Sequence, residues 1–161
     1  MLFNSFEFLL FFITVAFTYF LIKDKWRWAF LLGASYFFYG SWNTSYLILI
    51  LLSTVTTFYS GILIEKIPNQ KKIVALSSLT INLGILFFFK YYNFFATTVN
   101  SLSQDTLPFF DTLLPVVGIS FYTFQALSYT MDVYNCKIQS QKHIGKYALF
   151  VSFFPQLVAG P

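Results

Sequence analysis

An all-α membrane protein, with about five spanning helices and the start of a sixth, is the fold class this sequence predicts, on three observations. Hydrophobic residues make up 57% of the 161 positions and charged residues only 10%, whereas a soluble fold of this size needs charge on the outward side of most helices. Apolar runs fill nearly every segment between short basic clusters. One segment, 118–132, then carries a line of polar residues at helical spacing on an otherwise apolar surface.

Phe8 to Ile22 is the first apolar segment, and it reaches spanning length if Met1 to Glu7 extends it, since about 20 residues cross a bilayer. Met1 to Glu7 has no basic character and no small-residue cleavage site follows, so the segment is expected to stay as a helix. Lys23, Lys25 and Arg27, interleaved with Trp26 and Trp28, read as a charged loop edged by interfacial tryptophan. Ala29 to Tyr39 is short and spans only with help from snorkelling Arg27 and flanking Trp26 and Trp42. Gly33, Ala34 and Ser35 on it are small residues that permit close helix packing.

Tyr46 to Ile64 is the next span, and Glu65 to Lys72 a second basic loop with Pro68 and Asn69 as turn residues. Ile73 to Phe89 spans again, with Asn82 near its middle. Lys90 to Thr112, dense in Tyr and Phe among polar residues, is expected to lie along the headgroup region. Leu113 to Met131 is the fifth span, 132–146 a third basic loop, and Tyr147 to Phe154 the start of a sixth segment interrupted by Pro155.

If each of the five segments spans once, the loops 23–28, 65–72 and 132–146 share a side and carry nine of the ten Lys and Arg residues, leaving Lys90 opposite. The positive-inside rule puts those loops in the cytoplasm and the N-terminus outside. Clustering of this kind reads as topology rather than as a nucleic-acid surface. Cys136 is the one cysteine, so no internal disulfide forms.

Gly118, Tyr122, Gln125, Tyr129 and Asp132 are spaced 4, 3, 4 and 3 apart. An unpaired amide, phenol or carboxylate facing lipid costs free energy, so this stripe should face other helices or a wet cavity. Two readings stand for it and for Asn82: a hydrogen-bonded seam between helices, or the lining of a tunnel. Pro155 and Gly160 are expected backbone breakers, which would turn Gln156 toward freed carbonyls or a cavity. His143, flanked by Lys142 and Lys146, is expected to be a solvated loop residue rather than a catalytic base.

Ala34-Ser35-Tyr36-Phe37-Phe38-Tyr39-Gly40, Asn82-Leu83-Gly84, Phe89-Lys90-Tyr91-Tyr92-Asn93-Phe94, Gly118-Ile119-Ser120-Phe121-Tyr122-Thr123-Phe124-Gln125 and Phe153-Phe154-Pro155-Gln156-Leu157-Val158-Ala159-Gly160-Pro161 occur in this order. Together they resemble the N-terminal part of the membrane-bound O-acyltransferase family, and most closely its alginate O-acetyltransferase branch. The resemblance implies a larger ring of helices around a tunnel, in a bacterial cytoplasmic membrane. Through it an acyl group, acetyl by this branch, would pass from a thioester donor such as acetyl-CoA or an acyl carrier to hydroxyls of an extracytoplasmic polysaccharide. It also implies partners: the C-terminal half, which would carry the family histidine, and an accessory extracytoplasmic acyltransferase. No catalytic or metal-binding residue is expected within 1–161, and the chain is expected to be a truncated, inactive N-terminal piece. The family has one residue between the proline and glycine of its Leu-Pro-x-Gly motif where this sequence has Val116 and Val117 between Pro115 and Gly118; within a helix the extra residue would turn Pro115 by about 100°. A transporter or a non-catalytic membrane scaffold is the other class of function the composition allows, although no internal inverted repeat is visible.

Overall fold

The computed structural model describes residues 5–41, 44–102 and 118–159 and shows helices without strands among them. In order these are α1 (Phe6–Leu21), α2 (Asp24–Gly40), α3 (Thr44–Lys66), a 3-10 turn (Pro68–Gln70), α4 (Lys71–Leu102), α5 (Ile119–Tyr134), α6 (Ile144–Ser152) and α7 (Phe154–Ala159). Pro115 and Gly160 lie outside the described residues.

The first two helices are joined by a tight corner rather than a loop. Ser5 Oγ accepts from Phe8 N at 3.2 Å and caps the start of α1, satisfying a donor with no intrahelical partner. At the other end Arg27 Nε donates to the carbonyls of Tyr19 (3.2 Å) and Ile22 (3.1 Å), and its guanidinium also pairs with Asp24. Asp24, Lys25, Trp26, Arg27 and Trp28 therefore form the first turns of α2 instead of the expected loop 23–28. That lengthens the second segment to 17 residues.

α3 is the centre of the bundle, packed against α2, α4, α5 and α6. A polar seam joins it to α4, where Ser53 Oγ donates to Asn82 Oδ1 at 2.5 Å and Asn82 Nδ2 donates to the Ser78 carbonyl at 2.9 Å. With both ends of its amide engaged, Asn82 is buried without a desolvation penalty left open.

α4 departs from expectation by running 32 residues without interruption, so the stretch from Lys90 to Leu102 continues the helix instead of lying separately along the membrane surface. No Gly or Pro occurs between Ile85 and Leu102 to stop it. Tilted rings meet along its length, Phe87 with Tyr91 at 6.2 Å and Phe88 with Tyr92 at 5.3 Å between centroids. Lys90 Nζ donates to Ser120 Oγ at 2.8 Å near the start of α5. At the far end the Lys71 ammonium sits 5.0 Å from the ring centre of Tyr134, so α4 and α5 run antiparallel.

α5 begins at Ile119, not Leu113 as expected, because Gly118 stands just before it in the left-handed region (φ 77°). A side chain there would be strained, and only glycine adopts this turn without cost. Leu113 to Val117 lie outside the described residues, and with them the expected rotation of Pro115.

The three basic segments meet at one end of the bundle. Glu65, just past the apolar run of α3, accepts from Ser140 Oγ at 2.6 Å and from Lys142 Nζ at 2.6 Å, and also from the Ser140 amide. The rings of Trp28 and His143 meet edge to face at 4.6 Å. His143 is exposed, and its Nδ1 accepts from Lys146 N at 3.3 Å to cap α6.

Two cores result. Ile50, Phe58, Leu86, Tyr122 and Tyr147 anchor the larger one between α3, α4, α5 and α6, while Val15, Ala34, Phe38 and Phe154 form a smaller one where α1, α2 and α7 meet. Outward faces stay apolar: Phe17 and Phe20 on α1, Ile48 on α3, and Ile73 and Phe94 on α4 are each at least 66% exposed. Such patches suit hydrocarbon rather than water. Among the described helices α3 and α4 are long and apolar enough to cross a membrane. α1, α2 and α5 have 16, 17 and 16 residues, so they reach only about 24–26 Å against a hydrocarbon core of about 30 Å. The expected count of five spans is not reached by length.

The contacts of Glu65 hold its carboxyl at about 2, below the ordinary 4.5, chiefly through hydrogen bonds from Lys142 and Ser140. A depressed folded-state value stabilises the folded form above pH 4.5, and that contribution is lost as pH falls through about 2. The protection of the amides at 138–142, taken relative to the intrinsic exchange rate at each pH, should therefore fall between those limits, and Glu65→Gln should show low protection at neutral pH with little further change in acid. Equal pH dependence in both proteins would contradict the clamp.

Candidate functional site

The site grows from the break between α6 and α7. A proline has no N–H and its ring crowds the carbonyl four residues back, so a helix running through Pro155 would be disrupted. The chain instead leaves α6 at Phe153, which is extended (φ −60°, ψ 114°), and restarts with Pro155 in the first turn of α7. In an uninterrupted helix Phe154 N would donate to the Phe150 carbonyl. Here both groups are freed, and both are taken by side chains from other helices.

Phe154 N donates to Ser35 Oγ of α2 at 3.2 Å, and Ser35 Oγ donates onward to the Leu31 carbonyl at 2.8 Å. The Phe150 carbonyl accepts from Gln125 Nε2 of α5 at 2.9 Å. Leaving either backbone group buried without a partner would cost about 1–3 kcal/mol, so Ser35 and Gln125 hold the break in this form. Phe154 is driven into the smaller core, with its ring centre 5.4 Å from that of Phe11 and 5.7 Å from that of Phe38.

Two predicted residues meet at this point. Gln125 Nε2 also donates to Gln156 Oε1 at 3.0 Å, joining positions that lie on α5 and α7. Both side chains border a 480 Å³ cavity walled by Phe121, Phe124, Ser128 and Phe150. In this pairing Gln125 Oε1 and Gln156 Nε2 have no partner among the described residues, so the cavity presents one amide acceptor and one amide donor between aromatic walls. The sequence suggests freed carbonyls or a cavity for Gln156. In the structure Gln125 takes the carbonyl and Gln156 takes the cavity edge.

The rest of the stripe divides. Tyr122 and Tyr129 share one face of α5, and Gln125 and Asp132 lie about 60° around from them. Tyr122 is fully buried, its ring edge-on to Tyr39 with centroids 6.4 Å apart, and its Oη lacks a hydrogen bond of normal geometry. Tyr129 sits at the basic end, where its Oη accepts from Gln141 N at 2.9 Å and its ring lies 4.5 Å from that of Tyr147. Asp132 pairs with Lys137 at 3.5 Å. Together with Tyr129 it borders a separate 420 Å³ cavity. Asn82 is bonded within the α3–α4 seam instead.

Sequence reasoning missed four contributors. Ser35 reads as a small packing residue; the signal was a hydroxyl in an aromatic segment with a Phe-Phe-Pro break elsewhere. Tyr147 reads as the start of an apolar segment, yet its Oη donates to Thr57 Oγ1 at 2.7 Å inside the core. Glu65 and Lys142 read as separate loop charges. Among the described residues no three His, Cys, Asp or Glu side chains stand close enough to hold a metal ion.

Two substitutions check this geometry. Gln125→Leu leaves the Phe150 carbonyl uncapped and should lower unfolding stability by about 1–2 kcal/mol in detergent, more than Gln156→Leu, which leaves that cap in place. A Cβ at Gly61 would lie 2.6 Å from Tyr129 Oη, so Gly61→Ala should push the phenol off Gln141 N. Faster exchange at Gln141 in that variant, with α1 and α2 unchanged, is the expected result.

Over its whole length the chain is 36% identical to the Probable alginate O-acetylase AlgI of Pseudomonas syringae pv. tomato and 36% identical to that of Pseudomonas aeruginosa, covering 32% of each. The Peptidoglycan O-acetyltransferase of Helicobacter pylori is 36% identical over 80% of this chain and 29% of its own length. No family model matches the chain, and no solved structure does. The chain thus spans about a third of the length of the curated relatives it matches. Across all of its residues it is a relative of the N-terminal part of the alginate O-acetylase branch of the membrane-bound O-acyltransferases.

Proposed function

We propose that this chain forms the N-terminal helices of a membrane-bound O-acetyltransferase that modifies hydroxyls of an extracytoplasmic polysaccharide. The observation that carries the reading is identity at one level, along the whole chain for the relative named for alginate and over 80% of it for the one named for peptidoglycan, to proteins named for O-acetylation of two different polymers. The basic end of the bundle faces the cytoplasm, in keeping with the charge count, and the N-terminus lies outside. The short helices α1, α2 and α5 cross where the membrane is thin, supported laterally by α3 and α4.

The reaction is acyl transfer from a thioester such as acetyl-CoA or an acylated carrier. A polysaccharide hydroxyl oxygen attacks the thioester carbonyl carbon, the new C–O bond forms, the C–S bond breaks, and the hydroxyl proton passes through a base to the departing thiolate. That base belongs to the rest of the protein, and these 161 residues alone are inactive. Their contribution is positional. The break at Phe153 and the Gln125–Gln156 pair give the tunnel wall an uncharged polar edge beside aromatic side chains, able to hold a neutral amide or hydroxyl without binding an ion.

Ester-linked acetate on surface polysaccharide, released by mild base and quantified, tests this. Deleting the chromosomal gene should remove most of it, and restoring the intact gene should return it. Gln156→Ala in the complete protein should lower it several-fold at unchanged protein level in the membrane. Acetate unaffected by the deletion would refute the activity; acetate lost on deletion but untouched by Gln156→Ala would refute the role of the pair.

A further inference from the structure

We infer that a groove at the basic end of the bundle, between the α1–α2 corner and the start of α6, binds the headgroup of an anionic phospholipid. The inference rests on the reading that this end faces the cytoplasmic leaflet. The groove encloses about 710 Å³ and brings Lys25, Arg27 and Lys146 together with a single carboxylate, Asp24. Arg27 and Asp24 are already committed to each other and to the end of α1. Lys25 and Lys146 have no ion-pair partner among the described residues, although they come from helices 121 positions apart in the chain.

Two unpaired ammonium groups converging on one cavity repel each other until an anion enters. Lys142 and Lys137 at this end have carboxylate partners; what sets Lys25 and Lys146 apart from the other lysines there is that both line this one groove. The floor of the groove is built. Gly145 leaves space for the Trp28 ring, which a Cβ there would meet at 2.3 Å, and the ring packs edge to face on His143.

Lipid rather than a soluble anion follows from the surroundings. Trp26, 61% exposed at the rim, is placed as interfacial tryptophans are. Leu31 and Leu149 line the groove, and the neighbouring α1 surface exposes Phe17, Phe20 and Leu21. A headgroup phosphate between Lys25 and Lys146 would leave its acyl chains lying along that apolar surface. Each basic residue near an anionic leaflet contributes attraction that falls off within a Debye length.

The test uses the complete protein, purified in a zwitterionic detergent, with phosphatidylglycerol or phosphatidylcholine added and bound lipid counted by native mass spectrometry. Phosphatidylglycerol should bind at least tenfold better than phosphatidylcholine. Lys25→Ala with Lys146→Ala should abolish that preference, Lys25→Arg with Lys146→Arg should keep it, and Lys66→Ala with Lys72→Ala, equal in charge but away from the groove, should also keep it. Equal loss in the Lys66 and Lys72 control, or no loss in the groove variant, would overturn the site. Competition by glycerol phosphate at the lipid's own concentration would overturn lipid as the ligand. Polysaccharide acetate measured in the same strains separates this failure from failure of the proposed activity, which does not depend on the groove.

Discussion

The candidate site depends on how a broken helix satisfies its backbone in a place with little water. Pro155 forces the chain out of α6 at Phe153, and two backbone groups lose their partners together. Ser35 and Gln125 replace them from different helices. Since an unpaired backbone group costs more in hydrocarbon than in water, this exchange fixes α2, α5, α6 and α7 against one another. The position of Gln156 at the edge of the cavity follows from it.

The other end of the bundle is held by a different kind of contact. Glu65, Ser140 and Lys142 join the end of α3 to the loop before α6, and Trp28 and His143 join that loop to α2. These contacts carry charge, whereas those at the break are neutral, buried at Ser35 and exposed at Gln125 and Gln156. The division suits a protein whose charged end meets water and whose interior holds an uncharged group. It also brings the three basic segments to one end without calling on any assumption about membrane orientation.

Much of the helix order was legible because apolar runs and basic clusters alternate so regularly. α3 and the turn at Pro68 follow from that alternation. The extent of α4 was not legible, because Lys90, Thr97, Thr98 and Asn100 look like interfacial chain until the Lys90–Ser120 bond is seen. The start of α5 was equally hidden: apolar residues before Gly118 continue the pattern, and only the backbone conformation of that glycine marks the boundary. Gln125 and Gln156 were each visible as polar residues in apolar surroundings. Their meeting was not, since a contact across 31 positions depends on where Phe153 turns. Ser35 was the least legible, because a serine that packs and a serine that caps another helix look alike in sequence.

Amide hydrogen exchange across 153–156, in wild type and in Ser35→Ala within the complete protein, tests the break most directly. The wild-type Phe154 amide should exchange slowly, and Ser35→Ala should accelerate it by at least tenfold while exchange in the middle of α3 is unchanged. A wild-type Phe154 amide that exchanges as fast as an unstructured one would contradict the account, because the bond that docks the last helix on α2 would then be absent.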